Sequence, residues 1–204
     1  ARDLAAIMIF LQKKGCHNIN FVTPSHQVFQ ILEALPIAIE AGLNVPLVYN
    51  TGGYDAVETL KLLDGVIDIY MPDFKFWDPD AAGRLCAAPD YSERAREALK
   101  EMHRQVGDLV TDDQGVAHRG LLVRHLVLPN NLAGTSEVME FLAKELSPDT
   151  YVNVMAQYRP CGQAFEHDDL NRVPTPEELS AATQTARQAG LTRLDRREKL
   201  FRWL

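Results

Sequence analysis

The chain has 204 residues, of which 46% are hydrophobic and 24% are charged. This composition is typical of a globular domain and excludes a disordered or fibrous chain. The formal net charge of −7 argues against a protein that coats nucleic acid, and no apolar run is long enough to span a membrane. Three widely spaced cysteines do not make a disulfide framework. We therefore expect one cytoplasmic domain over residues 1–204, with neither nucleic acid nor membrane as a partner.

Helical and strand patterns alternate along the chain. Apolar residues with a period of three to four predict helices over 4–15, 28–42, 55–63, 92–107, 138–146 and 175–190. Short apolar or alternating runs predict strands over 17–22, 45–50, 66–71, 121–128 and 151–157, with a last short strand over 191–194. Beyond them, arginines interleave with Phe201 and Trp203, which is typical of a helical end docked through its aromatic side chains.

Local signals mark where several elements begin, bend and end. Asp55 with Glu58 resembles a capping box, and Thr175 with Glu178 completes one around a proline at the first helical position. Pro36 is expected to kink its helix, and residues 112–115 to form a turn.

About six strands separated by helices indicate βα units around a parallel sheet. Right-handed crossovers would roll such a sheet into a full or partial barrel, or leave it open and doubly wound. The sequence contains no linker rich in proline, glycine or serine, which supports a single domain.

Polar residues collect where the predicted strands end. The carboxyl edge of a parallel sheet is where ligands bind, because side chains from several strands converge there. The candidates at this edge are Thr23 to His26, Asn50 to Gly53, Asp73 with Lys75, Arg124 with His125, and Gln157 to Arg159.

Each candidate also has an ordinary structural interpretation. The Asn50–Gly53 segment could be only a turn, and Asp73 with Lys75 could be a satisfied ion pair. Arg124 interrupts an apolar strand and requires a carboxylate or phosphate, which could be Asp73 or part of a ligand. His125 points to the opposite face and is expected to pack under a helix.

Five segments resemble successive strands of a radical S-adenosylmethionine (SAM) protein. They are GCHNINFVTPSH (15–26), PLVYNTGGYD (46–55), DIYMPDFKFWD (68–78), RGLLVRHLVLPNNLAGT (119–135) and YVNVMAQYRP (151–160). The chain is most similar to the iron–sulfur proteins that resemble pyruvate formate-lyase activating enzymes. The resemblance implies an α/β fold, a partial (β/α)6 parallel barrel that is incomplete at the N terminus. It also implies a [4Fe–4S] cluster that cleaves SAM to a 5′-deoxyadenosyl radical for hydrogen abstraction.

The resemblance also assigns roles residue by residue. Asn50, Thr51 and Gly52 match the strand end that contacts the amino acid and ribose parts of SAM. Asp73 and Lys75 match the Asp-x-Lys pair of the activating enzymes, and Arg124 matches an arginine of the next strand. Gln157 and Tyr158 match the strand end on the adenine side. The implied partners are a protein substrate, a glycyl radical enzyme, and an electron donor.

The sequence departs from this family in two places. Thr23 and Pro24 stand where activating enzymes commonly have Gly-Gly-Glu-Pro, so the resemblance does not assign the usual contact to the ammonium group here. The cluster motif CxxxCxxC is also absent, and Cys16, Cys86 and Cys161 do not replace it. We expect the cluster cysteines upstream of Ala1 in a longer protein. The chain as printed is then expected to bind SAM only weakly, with no cofactor retained, no metal and no catalytic residue of its own, and to be inactive.

Two other functions compete with this interpretation. Lys75 could form a Schiff base in an aldolase or lyase, with Asp73 as proton shuttle. Alternatively, the chain could be a non-catalytic domain that binds a nucleotide or a protein at its sheet edge.

Overall fold

The computed structural model describes residues 1–195, so the predicted aromatic helical end with Phe201 and Trp203 lies outside the described residues. The helices are α1 (Arg2–Lys13), α2 (Val28–Glu40), α3 (Val57–Lys61), α4 (Pro79–Cys86), α5 (Tyr91–Val106), α6 (Thr135–Phe141) and α7 (Pro176–Gln188). The strands are β1 (Ile19–Val22), β2 (Leu47–Thr51), β3 (Ile69–Pro72), β4 (Val110–Thr111), β5 (Ala117–Leu126) and β6 (Tyr151–Met155).

A sheet of five parallel strands organises the molecule, in the order β1-β2-β3-β5-β6. The short strand β4 pairs antiparallel with the beginning of β5. Every parallel neighbour pair is joined by a connection that contains a helix, as parallel pairing requires. The predicted α/β class with a partial parallel barrel is confirmed.

The two faces of the sheet have different surroundings. One face packs against the helices, where Tyr49, Tyr70 and Leu121 are fully buried in the main apolar core. We call the opposite face the inner face. By strand register and alternation it carries the side chains of Val48, Asn50, Ile69, Met71, Asp73, Leu122, Arg124 and Asn153.

The lower part of the inner face is apolar. Val48, Ile69 and Leu109 form a small buried cluster, against which Met71 and Leu122 pack. The polar side chains of this face therefore lie toward the carboxyl ends of the strands, above the apolar cluster.

Several predicted elements differ from the structure. Helix α4 has no counterpart in the prediction; it begins where the carboxylate of Asp78 accepts a hydrogen bond from the backbone N–H of Ala81. The predicted strand over 191–194 is reduced to a single bridge between Val152 and Leu194. The predicted helix around Pro36 is present, with the proline in its interior, and the expected kink stays a prediction.

The two predicted capping boxes have opposite outcomes. Thr175 and Glu178 form the predicted box at the start of α7. The prediction for Asp55 is wrong, because Ala56 occupies the N-cap of α3 and the Asp55 carboxylate is engaged by hydroxyl groups instead. Within residues 1–195, no helix has both the length and the apolarity needed to cross a membrane.

Candidate functional site

An ion pair joins the ends of β3 and β5. Nε and Nη2 of Arg124 each lie 2.6 Å from Oδ1 of Asp73, and a parallel bridge links the two residues. Nζ of Lys75 lies 3.4 Å from the other carboxylate oxygen, Oδ2. The structure therefore contains the ion pair that the sequence analysis considered for Asp73. Two cations share one carboxylate, which leaves the cluster with a net positive charge.

The cluster is accessible from solvent on the Lys75 side. The side chain of Lys75 is 43% exposed, compared with 24% for Arg124 and 14% for Asp73. Nζ of Lys75 also lies 3.8 Å from the point where Gly52 would carry a Cβ atom. An accessible excess cation is an electrostatic match for an anionic group such as a carboxylate.

The end of β2 contributes Asn50 and Gly52 to the same region. Asn50 is paired in register with Met71, so its largely buried side chain belongs to the inner face. Gly52 follows two positions later, next to Lys75. The structure thus places Asn50, Gly52, Asp73, Lys75 and Arg124 on one face at one edge of the sheet.

Of the other predicted site residues, Thr51 lies on the opposite face, and Gln157 and Tyr158 follow β6. The hydroxyl of Thr51 donates to Asp55 at 2.5 Å, on the helix-covered face. The hydroxyl of Tyr158 donates to the carbonyl of Leu170, and Gln157 is exposed in the segment after β6. The alternation of a strand explains the displacement of Thr51, because neighbours of Asn50 must point to the other face.

Asp55 is a buried carboxylate that accepts hydrogen bonds from several hydroxyl groups, which the sequence did not reveal. It accepts hydrogen bonds from the hydroxyls of Ser25 (2.6 Å), Tyr49 (3.0 Å) and Thr51 (2.5 Å). Burial raises the pKa of Tyr49, and the negative charge of Asp55 raises it further. The hydroxyl of Tyr49 therefore stays protonated and remains a donor. Asp55 thereby ties the segment after β1 to the end of β2.

Tyr91, at the start of α5, makes a second tie that the sequence did not reveal. Its hydroxyl donates to the carbonyl of Gly52 at 2.8 Å and lies 3.1 Å from the carbonyl of Asp73. The same oxygen accepts the backbone N–H of Lys75 at 3.0 Å. Burial raises the pKa of Tyr91, which keeps the hydroxyl protonated.

Asn153 is a further polar residue of the inner face. It is paired in register with Arg124 and is half-buried. The signal was present in the sequence, since Asn153 is the single polar residue within the YVNVM strand. Recognising it requires the register of β6 against β5, which the pattern alone does not give.

His125 lies on the face opposite to Arg124, which confirms the prediction. It is completely buried, with Nδ1 2.8 Å from the carbonyl oxygen of Phe74 and Nε2 3.0 Å from Oγ1 of Thr135. Burial lowers its pKa to about 4. The ring is therefore neutral near pH 7 and serves the packing of α6 rather than the candidate site.

The residues that the structure describes do not fit an iron–sulfur cluster. Cys16, Cys86 and Cys161 are free and exposed on separate segments. Among residues 1–195, no group of three or more histidine, cysteine, aspartate or glutamate side chains could hold a metal ion. The donor set of the inner face does fit a zwitterionic nucleoside, because it combines amides, a carboxylate and two cations.

Comparison with known proteins identifies the fold of the chain but does not identify an activity. No protein-family model matches the chain. The uncharacterized protein MJ0674 of Methanocaldococcus jannaschii is 35% identical over 177 residues, which cover 85% of this chain. The chain spans about half (47%) of the length of that relative.

Among solved structures, the chain is similar to a domain of pyruvate-formate lyase-activating enzyme from Bacteroides vulgatus. The TM-score is 0.58 at 15% sequence identity, covering 87% of this chain and 96% of that domain. The two proteins share a fold, and the resemblance found in the sequence is supported to that extent.

Proposed function

We propose that this chain is the barrel portion of a radical SAM enzyme and that its inner face binds SAM. One observation carries the proposal: strand register brings Asn50, Asp73 and Arg124 to one edge, with Lys75 and Gly52 beside them. The fold shared with a domain of an activating enzyme supports the same assignment.

Each side chain has a role suited to its chemistry. Lys75 and Arg124 would pair with the carboxylate of SAM, because they outnumber the single carboxylate of Asp73. Asp73 would accept from the ammonium group or a ribose hydroxyl. Asn50 and Asn153 would hydrogen-bond the ribose from the two flanking strands.

The proposal places the iron–sulfur cluster outside this chain. Since the described residues do not fit it, we assign the cluster to a segment of a longer protein rather than to this chain. A glycyl radical enzyme as protein substrate and a separate electron donor complete the proposed system. The role of this chain is to bind and orient the nucleoside.

Calorimetry with the 204-residue chain tests the proposal. S-adenosylhomocysteine (SAH) and SAM are titrated into the wild type, Arg124→Ala and Arg94→Ala. Arg94 is the control because it is an exposed arginine paired with Asp90 and Glu97 on α5. We expect Arg124→Ala to weaken binding at least about tenfold and Arg94→Ala to leave it unchanged. Equal heats for the wild type and Arg124→Ala would reject the assignment.

The alternative of a Schiff-base lysine has weaker support. An activated lysine is usually desolvated, whereas Lys75 is 43% exposed. The carboxylate of Asp73 lies between Lys75 and the neighbouring cation Arg124 and favours the charged form of the lysine. Borohydride trapping with a carbonyl substrate, followed by mapping of the adduct, tests this alternative. An adduct at Lys75 would favour it over the proposal.

A further inference from the structure

The hydroxyl of Tyr91 connects three backbone groups at the candidate site. It contacts the carbonyls of Gly52 and Asp73 and accepts the N–H of Lys75, within 2.8 to 3.1 Å. These groups belong to two different strand ends, one that carries Asn50 and Gly52 and one that carries Asp73 and Lys75. A single oxygen on α5 therefore holds the two ends in one arrangement.

A close backbone approach makes this connection geometrically feasible. Gly53 has a φ of +80°, and a Cβ atom at this position would lie 2.1 Å from the carbonyl oxygen of Asp73. The same Cβ would lie 3.3 Å from the hydroxyl oxygen of Tyr91. Glycine at position 53 thus allows the turn after β2 to lie against the end of β3, where Tyr91 reaches both.

We propose that Tyr91 is a positioning residue, which fixes Asp73 and Lys75 relative to Gly52 so that the inner face is ready for its ligand. The inference rests on the proposed function of this face. Tyr91 would act through the backbone and would not touch the ligand itself. Its aromatic ring contacts Tyr54, Phe74 and Phe76, and these ring contacts are retained when only the hydroxyl is removed.

The variant Tyr91→Phe isolates the hydroxyl, and Tyr70→Phe is a matched control. Tyr70 is also buried, lies on β3 itself, and donates its hydroxyl to Gln105 on the helix-covered face. Both variants lose one buried hydroxyl, so Tyr70→Phe shows how far the loss of such a group away from the inner face changes the affinity. Two quantities are measured: the affinity for SAH by calorimetry and the hydrogen exchange rate of the Lys75 amide by NMR.

We expect Tyr91→Phe to bind SAH about five- to tenfold more weakly and to exchange the Lys75 amide at least tenfold faster. Tyr70→Phe should match the wild type in both measurements. Wild-type affinity in Tyr91→Phe would overturn the inference whatever the exchange rate, as would equal losses of affinity in the two variants. If wild-type protein gave no heat with SAH, the proposed function would fail, and exchange at Lys75 alone would decide whether Tyr91 holds the two strand ends.

Discussion

Arg124 and Asp73 form an ion pair across two neighbouring parallel strands, with Nε and Nη2 both 2.6 Å from Oδ1. Neither side chain is more than a quarter exposed, so water screens the pair only in part. The pair joins β3 to β5 beyond the last regular ladder contact between them. It therefore has a structural role even without a ligand.

We expect this ion pair to contribute measurably to stability. A double-mutant cycle with Asp73→Ala and Arg124→Ala should give a coupling energy of about 1–3 kcal/mol in the free energy of unfolding by urea. The same cycle on the exposed pair of Glu140 and Lys144 on the outer surface should give a coupling close to zero. Equal coupling for both pairs would contradict the geometry described for Arg124.

Gly53 should be far less tolerant of alanine than another glycine with a similar backbone. Gly65 has a φ of +75° and open space where a Cβ atom would lie, so Gly65→Ala should cost about 1 kcal/mol from the backbone alone. Gly53→Ala adds the collision with the carbonyl of Asp73 and should cost at least about 2 kcal/mol more. Chemical denaturation of both variants measures the difference, and similar losses would argue against the close approach.

Substitution of Asp55 by serine distinguishes an N-cap role of this residue from its role as a buried acceptor of three hydroxyl groups. Serine is a good N-cap, so a capping role for Asp55 would make Asp55→Ser nearly neutral. Because Asp55 instead accepts three hydroxyl donors in a buried site, we expect a loss of about 2–4 kcal/mol in the free energy of unfolding. Asp78→Ser is the control, since Asp78 is a true N-cap and should lose no more than about 0.5 kcal/mol.

His125 should make the protein less stable in acid. Its pKa is about 4 in the folded state and about 6.5 when unfolded, so the unfolded chain binds the extra proton between these values. The stabilising contribution is complete above pH 6.5 and is lost as the pH falls toward 4, by about 3 kcal/mol in total.

The measurement compares the pH dependence of unfolding for the wild type and His125→Gln. The variant should lose most of the slope between pH 4 and 6.5, whereas the exposed His118→Gln should keep it. An NMR titration of the His125 ring in the wild-type chain checks the pKa directly, even if the variant folds poorly. A ring that titrates near 6.5 would refute the prediction.

The fold was largely predictable because each strand and helix carries its own periodicity. The strand around Leu121 to Leu126 is uniformly apolar except for Arg124 and His125, and alternation alone assigned these two residues to opposite faces. Helix α4 escaped prediction because its sequence, PDAAGRLC, buries only two alanines and so carries few large apolar side chains to mark a helical period.

The candidate site was predictable only in part. Asp73, Lys75 and Arg124 were found because charged residues at the ends of apolar strands are conspicuous. Thr51 was predicted at the site because it follows Asn50, but consecutive side chains of a strand point to opposite faces of the sheet. Tyr91 contacts groups 16 to 39 residues away, and Asp55 contacts Ser25, which is 30 residues away; no local pattern records such contacts.

The most direct test of a nucleoside-binding inner face is an NMR titration of the isotope-labelled chain with SAH. We expect the amide signals of Asn50, Gly52, Lys75, Arg124 and Asn153 to shift together along one binding curve. The side-chain ring signals of Tyr49, Tyr70 and His125, on the opposite face, should move much less. Shifts confined to that helix-covered face, or no saturable shifts up to millimolar SAH, would contradict the account.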